Sequence, residues 1–200
     1  MNWDSLIKSF STYLRIERSL STNTIQSYSN DLNKLSDFLT PKSISATKVR
    51  LNDLKDFIAS ISEILSETSQ SRIISAIKSF YKFLLIENLI QTDPSENLVS
   101  PKIGRKLPNV LTIEEINLII NSVESNNVGI RNKAIIEIIY GCGLRVSELT
   151  NLLLSNLFLK QGYIKIVGKG NKERLSPIGS LATDSLNDFL TNVRPGLKIN

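Results

Sequence analysis

Histidine is absent from all 200 residues. That removes three chemistries at once: Ser-His-Asp hydrolysis, a Cys-His nucleophile and histidine ligation of a metal. Cysteine is nearly absent as well. Cys142 stands alone, so no internal disulfide and no cysteine-built zinc site can form. It lies between glycines beside an apolar run and reads as a small buried hydrophobe. No stretch is long and apolar enough to span a membrane. The start, MNWDSLIKSF, lacks the apolar region of a signal peptide. A cytoplasmic protein is therefore expected. There is no internal repeat and no low-complexity tract. The one GKG, Gly168 to Gly170, is not a phosphate-cradling P-loop, because it lacks the GxxxxGK[ST] spacing and leads into a strand pattern.

Charge is present but uneven. Residues 1–100 carry 11 Lys+Arg against 11 Asp+Glu, and residues 101–200 carry 13 against 8, so the whole net charge of +5 lies in the second half. Two clusters account for it: Lys102, Arg105 and Lys106, then Lys160, Lys165, Lys169, Lys172 and Arg174. A basic stripe beside a neutral region points to a polyanion, most often nucleic acid. A basic surface with no partner would give the same counts.

Helical spacing organises the first ninety residues. Trp3, Leu6, Ile7, Phe10, Tyr13 and Leu14 mark a first helix, with Asn2 or Asp4 as its cap. Ile25, Tyr28, Leu32, Leu35, Phe38 and Leu39 mark a second, stopped by Pro41. A third covers roughly 52–64 and a fourth roughly 67–87, with Ile73, Ile77, Phe80, Tyr81, Leu84 and Leu85 inward. Their aromatic stripes lie on single faces and read as core. Four such helices with short connections can form a small bundle. Residues 92–108 hold Pro94, Pro101, Gly104 and Pro108 and are expected to be a basic linker. The order restarts at a Thr112–Glu115 capping box. A turn over Asn126 to Gly129 and a helix from Arg131 to Tyr140 follow. The reading is thus a helical domain over 1–91, a linker over 92–108 and a mixed domain over 109–200.

The stretch from Tyr140 to Ile178 carries the chemistry. Gly141 and Gly143 end the apolar run, and Arg145 follows at once. Glu148 lies three residues on, so the two side chains can share one helical face. An arginine steadied by a carboxylate presents a fixed fork of donors to a phosphate. An ordinary surface ion pair has the same spacing. Tyr163 to Val167 is rich in strand formers, Gly168 to Asn171 forms a turn, and Arg174 to Ile178 returns as a strand. This is a β-hairpin with Lys169 at its tip. A final helix holds Leu181, Leu186, Phe189, Leu190 and Val193, and Pro195 and Gly196 end it.

GCGLRVSEL followed by IVGKGNKERLSPIG resembles the catalytic domain of Xer-type tyrosine recombinases, in the phage integrase family. STNTIQSYSNDLNKLSDFL and SRIISAIKSFYKFL resemble the same family's core-binding domain. The resemblance implies a mainly α fold: a four-helix, SAM-like core-binding domain, then a partial α+β catalytic domain with a β-hairpin. It implies Arg145 as the arginine on the scissile phosphate, Glu148 as its support, and Lys169 as the acid that protonates the leaving 5′ oxygen. DNA contacts would come from Lys102, Arg105, Lys106, Lys172 and Arg174, and from Thr24, Ser27, Arg72 and Lys78 in the helical domain, the two domains clamping the duplex. The implied partners are double-stranded DNA and, in the complete protein, other subunits of a tetrameric synapse. No metal or other cofactor is implied, because a 3′-phosphotyrosine link conserves the phosphodiester energy. The family's HxxR motif and its late nucleophilic tyrosine have no counterpart here. Tyr13, Tyr28, Tyr81, Tyr140 and Tyr163 all lie in other contexts. The chain is expected to match the first two-thirds of a family member and to be inactive alone. A non-catalytic DNA-binding module and a helical protein-interaction domain stay open as alternatives.

Overall fold

Amphipathic spacing in the first hundred residues condenses into four helices. In a computed structural model describing residues 2–102, 104 and 108–197, they are α1 (Trp3–Ile16), α2 (Thr22–Leu39), α3 (Leu51–Ser62) and α4 (Glu67–Ile86). Phe10, Leu32, Leu35, Leu54, Ile77, Phe80 and Tyr81 are closed to water between them. Ser21 Oγ caps α2 by accepting from Thr24 N, and Ser66 Oγ caps α4 by accepting from Ser69 N. Asn2 occupies the cap position of α1 without a side-chain hydrogen bond. Thr40–Lys42 tightens into a 3-10 turn around Pro41. Two buried aromatic tips are satisfied: Trp3 Nε1 donates to Ile44 O (3.1 Å), and Tyr81 Oη donates to Ala46 O (3.3 Å).

The chain divides into two units, Met1–Lys106 and Leu107–Asn200. The beginning of the expected linker packs on the first of them. Leu98 joins its core and Ser95 is fully buried, with Ser95 N and Oγ both donating to Asp93 Oδ1 (2.7 Å each).

The second unit has helices α5 (Ile113–Asn121), α6 (Asn127–Cys142), α7 (Val146–Thr150) and α8 (Ser180–Asp188). It also has an antiparallel sheet in the order β1 (Leu157–Phe158), β2 (Tyr163–Val167) and β3 (Glu173–Pro177). The Thr112–Glu115 capping box forms: Glu115 N donates to Thr112 Oγ1 (3.2 Å) and Thr112 N to Glu115 Oε2 (2.8 Å). Asn126 to Gly129 is a helix start where a turn was expected. Asn126 Oδ1 accepts from Gly129 N (2.9 Å), and a Cβ on Gly129 would lie 1.7 Å from Glu124 O. Glycine is present there for space, not for turning. Gly143 does take the left-handed conformation that ends α6 (φ 61°). α8 widens into a π-type turn over Phe189–Val193, and a 3-10 turn over Arg194–Gly196 closes it. The core joins Ile138, Cys142 and Leu144 to Ile164 and Ile166 of β2 and to Ile178, Ala182 and Leu186. Among the described residues, no helix is long and apolar enough to cross a membrane.

Candidate functional site

The register of the hairpin decides where its charges go. Ile164 pairs with Ser176 and Ile166 with Arg174, and residues paired across a strand share a face. Ile164 and Ile166 face the core, so Ser176 and Arg174 are carried to the same side, towards the α6–α7 turn. Ser176 Oγ donates to Cys142 O (2.9 Å). Lys165 and Glu173 fall on the other face and pair there (2.8 Å).

The α6–α7 turn places the second half of the site. Arg145 is the residue before the first turn of α7, and its N–H donates to Glu148 Oε2 (2.9 Å). Arg145 Nη1 donates to Glu148 Oε1 (2.9 Å). From β3, Arg174 Nη1 donates to Glu148 Oε1 and Nη2 to Oε2 (2.8 Å each), and Nη2 also reaches Gly143 O (3.4 Å). One carboxylate thus holds two guanidinium groups. The Glu148 side chain is 4% exposed and that of Arg145 is 75% exposed. The buried anion anchors the cluster and Arg145 faces solvent. Arg174 first, and then the Arg145 backbone N–H, hold the Glu148 carboxyl well below its ordinary value of 4.5. Glu148 in turn raises the Arg174 guanidinium.

The hairpin tip comes close to the same carboxylate. A Cβ on Gly168 would lie 3.3 Å from Glu148 Oε1, so the backbone next to Lys169 passes over the anion. Gly168 N donates to Lys172 O (2.7 Å), and Gly170 and Asn171 follow with φ 74° and 58°. The backbone of Lys169 lies in this turn, while its side chain is outside the described residues. Lys172 is exposed beside it. Arg145, Glu148, Arg174 and the Lys169 backbone are therefore brought together. The sequence reading set Arg174 among the phosphate contacts. Its guanidinium is engaged by Glu148, a pairing that strand alternation could have suggested only with the register known.

In the first unit, Thr24 Oγ1 bonds Ser21 Oγ at the start of α2 (2.9 Å). Arg72 on α4 reaches across to α2, donating to Asp31 Oδ2 and to Ser27 O (3.4 Å). Asp31 is 1% exposed, and burial raises its carboxyl against the opposing pull of Arg72. The sequence reading missed this acid because it stands beside Leu32 and Leu35 on the largely apolar buried side of α2, and its partner Arg72 is distant in sequence. Lys78 lies elsewhere, with Nζ against Glu96 O (3.4 Å). Ser27 and Arg72 therefore meet across α2 and α4, while Thr24 stays at the α2 cap with Ser21 and Lys78 lies apart. Lys102 is exposed, and Arg105 and Lys106 lie outside the described residues. Among the described residues, no group of three or more Cys, Asp or Glu is placed to hold a metal ion.

Tyr81, fully buried and donating to Ala46, has its hydroxyl pushed far above the ordinary range by burial. Tyr163 stacks on Phe158 with ring centroids 4.8 Å apart. Tyr140 is the most exposed tyrosine, at 50%.

Comparison with known proteins gives the family. Residues 7–88 match the phage integrase N-terminal SAM-like domain, and residues 109–198 match the phage integrase family. Tyrosine recombinase XerD of Chlorobaculum tepidum is 39% identical over 200 residues, covering 98% of this chain and 66% of the relative. That of Halalkalibacterium halodurans is 38% identical over 192 residues, covering 94% and 64%. The chain thus spans just under two-thirds of these relatives' length. Two solved structures share the fold. A lambda integrase dimer bound to a COC′ core site has TM-score 0.74 and 17% identity, with 94% of this chain and 69% of that one covered. XerH recombinase bound to palindromic difH substrate has TM-score 0.69 and 21% identity, with 97% and 59% covered. The chain belongs to the phage integrase family, among the Xer-type tyrosine recombinases.

Proposed function

We propose that this chain is the DNA-clamping and phosphate-activating part of a site-specific recombinase. The whole reaction would cut and rejoin double-stranded DNA through a 3′-phosphotyrosine link. Arg145 binds the scissile phosphate and offsets the charge that develops on it, Glu148 holds Arg145, and Lys169 donates a proton to the leaving 5′ oxygen. Positioning and fixed charge supply the rate. The observation that carries this reading is the buried Glu148 carboxylate, which presents an exposed arginine beside the lysine-bearing hairpin. The synapse of several subunits follows from the same reading. Chromosome dimer resolution and mobile-element integration are both served by this chemistry.

The DNA contacts we assign are Lys102, Arg105, Lys106, Arg145, Lys169 and Lys172, with Thr24, Ser27, Arg72 and Lys78 from the helical unit. If about six cations meet phosphates, log affinity falls with log salt at a slope near −5. The absence of histidine, and so of HxxR, favours binding without cleavage by these 200 residues. Incubation with a nicked duplex, followed by denaturing electrophoresis, tests that point, and native electrophoresis at low salt tests binding. Retardation without a covalent adduct is expected. An adduct would assign a nucleophile to one of the five tyrosines present. No retardation would favour the protein-interaction reading.

A further inference from the structure

We propose that Arg174 is a positioning residue: it neutralises and orients Glu148 so that Arg145 stays available to a DNA phosphate, and it ties the Lys169 hairpin to the Arg145 turn. The proposal rests on the functional reading above and deepens it. Two observations carry it. The first is charge. Glu148 and Arg145 alone would form a neutral pair, with little attraction left for an anion. The second arginine leaves the cluster with one net positive charge, and that charge is presented on Arg145, the more exposed of the two side chains (75% against 40%).

The second observation is geometry. Arg174 meets both oxygens of Glu148 with parallel 2.8 Å bonds. A planar fork of this kind fixes the rotation of a carboxylate, which a single ammonium cannot do. With that rotation fixed, Oε2 faces the Arg145 N–H and Oε1 faces Arg145 Nη1. Arg174 stands on β3, Arg145 precedes α7, and the Gly168 backbone lies over Glu148 Oε1. The carboxylate therefore joins the hairpin to the turn, beside the Ser176–Cys142 and Arg174–Gly143 bonds, and Arg174 is the strand's hold on it.

The test counts phosphate contacts through the salt dependence of binding to a short duplex DNA. Removing one contact lowers the magnitude of the log–log slope by about 0.9. Arg145→Ala is expected to lose one such unit. Arg174→Lys keeps its charge but not its fork, and is expected to lose the same unit, with the double variant losing no more. A full slope for Arg174→Lys would show a point-charge role instead, and two units lost in the double variant would show independent contacts. Either result overturns the proposal.

Glu148→Gln supplies a background of the same shape with no buried charge to compensate. There Arg174→Gln is expected to change the slope no further, and one more unit lost overturns the proposal. A readout without DNA separates failure of this proposal from failure of the functional reading. In 15N-arginine-labelled protein, the Arg145 guanidinium protons should be protected from solvent exchange in the wild type and exchange as free arginine does in Arg174→Lys. Equal protection in both proteins would refute the positioning role even if the chain bound no DNA.

Discussion

Glu148 stays ionised in a nearly water-free place because four N–H donors, three from guanidinium groups and one from the Arg145 backbone, converge on it. This has a consequence for stability against pH. The folded state lowers its pKa below the ordinary 4.5, chiefly through Arg174. A depressed carboxyl contributes stability that is complete above its unfolded value and is lost as pH falls towards the folded value. The second unit should therefore lose thermal stability as pH drops below about 4.5. Glu148→Gln should start lower at neutral pH and lack that part of the acid slope. Melts followed by circular dichroism across this range check both. An unchanged acid slope in the variant would mean that other carboxyls dominate.

The same residue scale holds the chemistry predictions, made for a chain that also carries the nucleophile. Arg145→Ala should slow strand cleavage on the order of 100-fold or more while leaving much of the DNA affinity, because one fixed donor at the developing charge matters more to rate than to binding. Near-normal cleavage would reject its assignment. Lys169→Ala should slow cleavage of an ordinary phosphodiester but be largely rescued by a 5′-phosphorothiolate, whose sulfur leaves without a general acid. Arg145→Ala should not be rescued in this way. Equal Lys169→Ala defects on both substrates would leave that lysine a binding role only.

At the scale of elements, glycine gives a sharp contrast inside α6. Gly129→Ala would drive a methyl to 1.7 Å from Glu124 O, a backbone atom, so the start of the helix must shift. The expected loss is at the upper end of the ~1–3 kcal/mol typical of overpacking. At Gly141 the nearest atom to an added methyl is Ala182 Cβ at 3.7 Å, an ordinary contact. There Ala should be neutral or stabilise by up to ~1 kcal/mol through helix propensity. Urea titrations of the two variants compare them directly, and equal losses would contradict this account of why each glycine is present. Gly129 also illustrates what the sequence could not tell. Beside two asparagines it carries the signature of a turn, and only the approach of Glu124 O reveals a helix start. The four helices of the first unit, the Thr112 box and the hairpin were legible because each depends on local periodicity or local capping. Strand β1, the burial of Leu98 and the Arg174–Glu148 pairing were not, since each depends on a partner distant in sequence or on a register one residue could reverse. Arg145 next to Glu148 was legible as a pair; which of the two arginines would face solvent was not.

At the scale of the whole molecule, the two units differ in how much apolar surface they bury. Among the described residues, the first core gathers twenty-one buried side chains, including Trp3, Phe10, Phe57, Phe80, Tyr81 and Phe83, and the second gathers eight with no aromatic among them. α5 buries none of its side chains, and Ile113 (62%), Leu118 (69%) and Ile119 (41%) are exposed along it. Since burial of apolar area is the main favourable term in folding, the first unit should be much the more stable. Heating should give two transitions, the lower one belonging to residues 108–197. A fragment of residues 2–102 should keep its helical circular dichroism and melt at the upper transition. It should include the segment up to Leu98, because Leu98 completes that core. A fragment stopping at residue 91 should melt lower than one stopping at 102, by an amount set by exposing the Leu98 site. A single cooperative transition for the full chain, or a mainly unfolded 2–102 fragment, would show that the units depend on each other for their stability and that unequal burial is not what separates them.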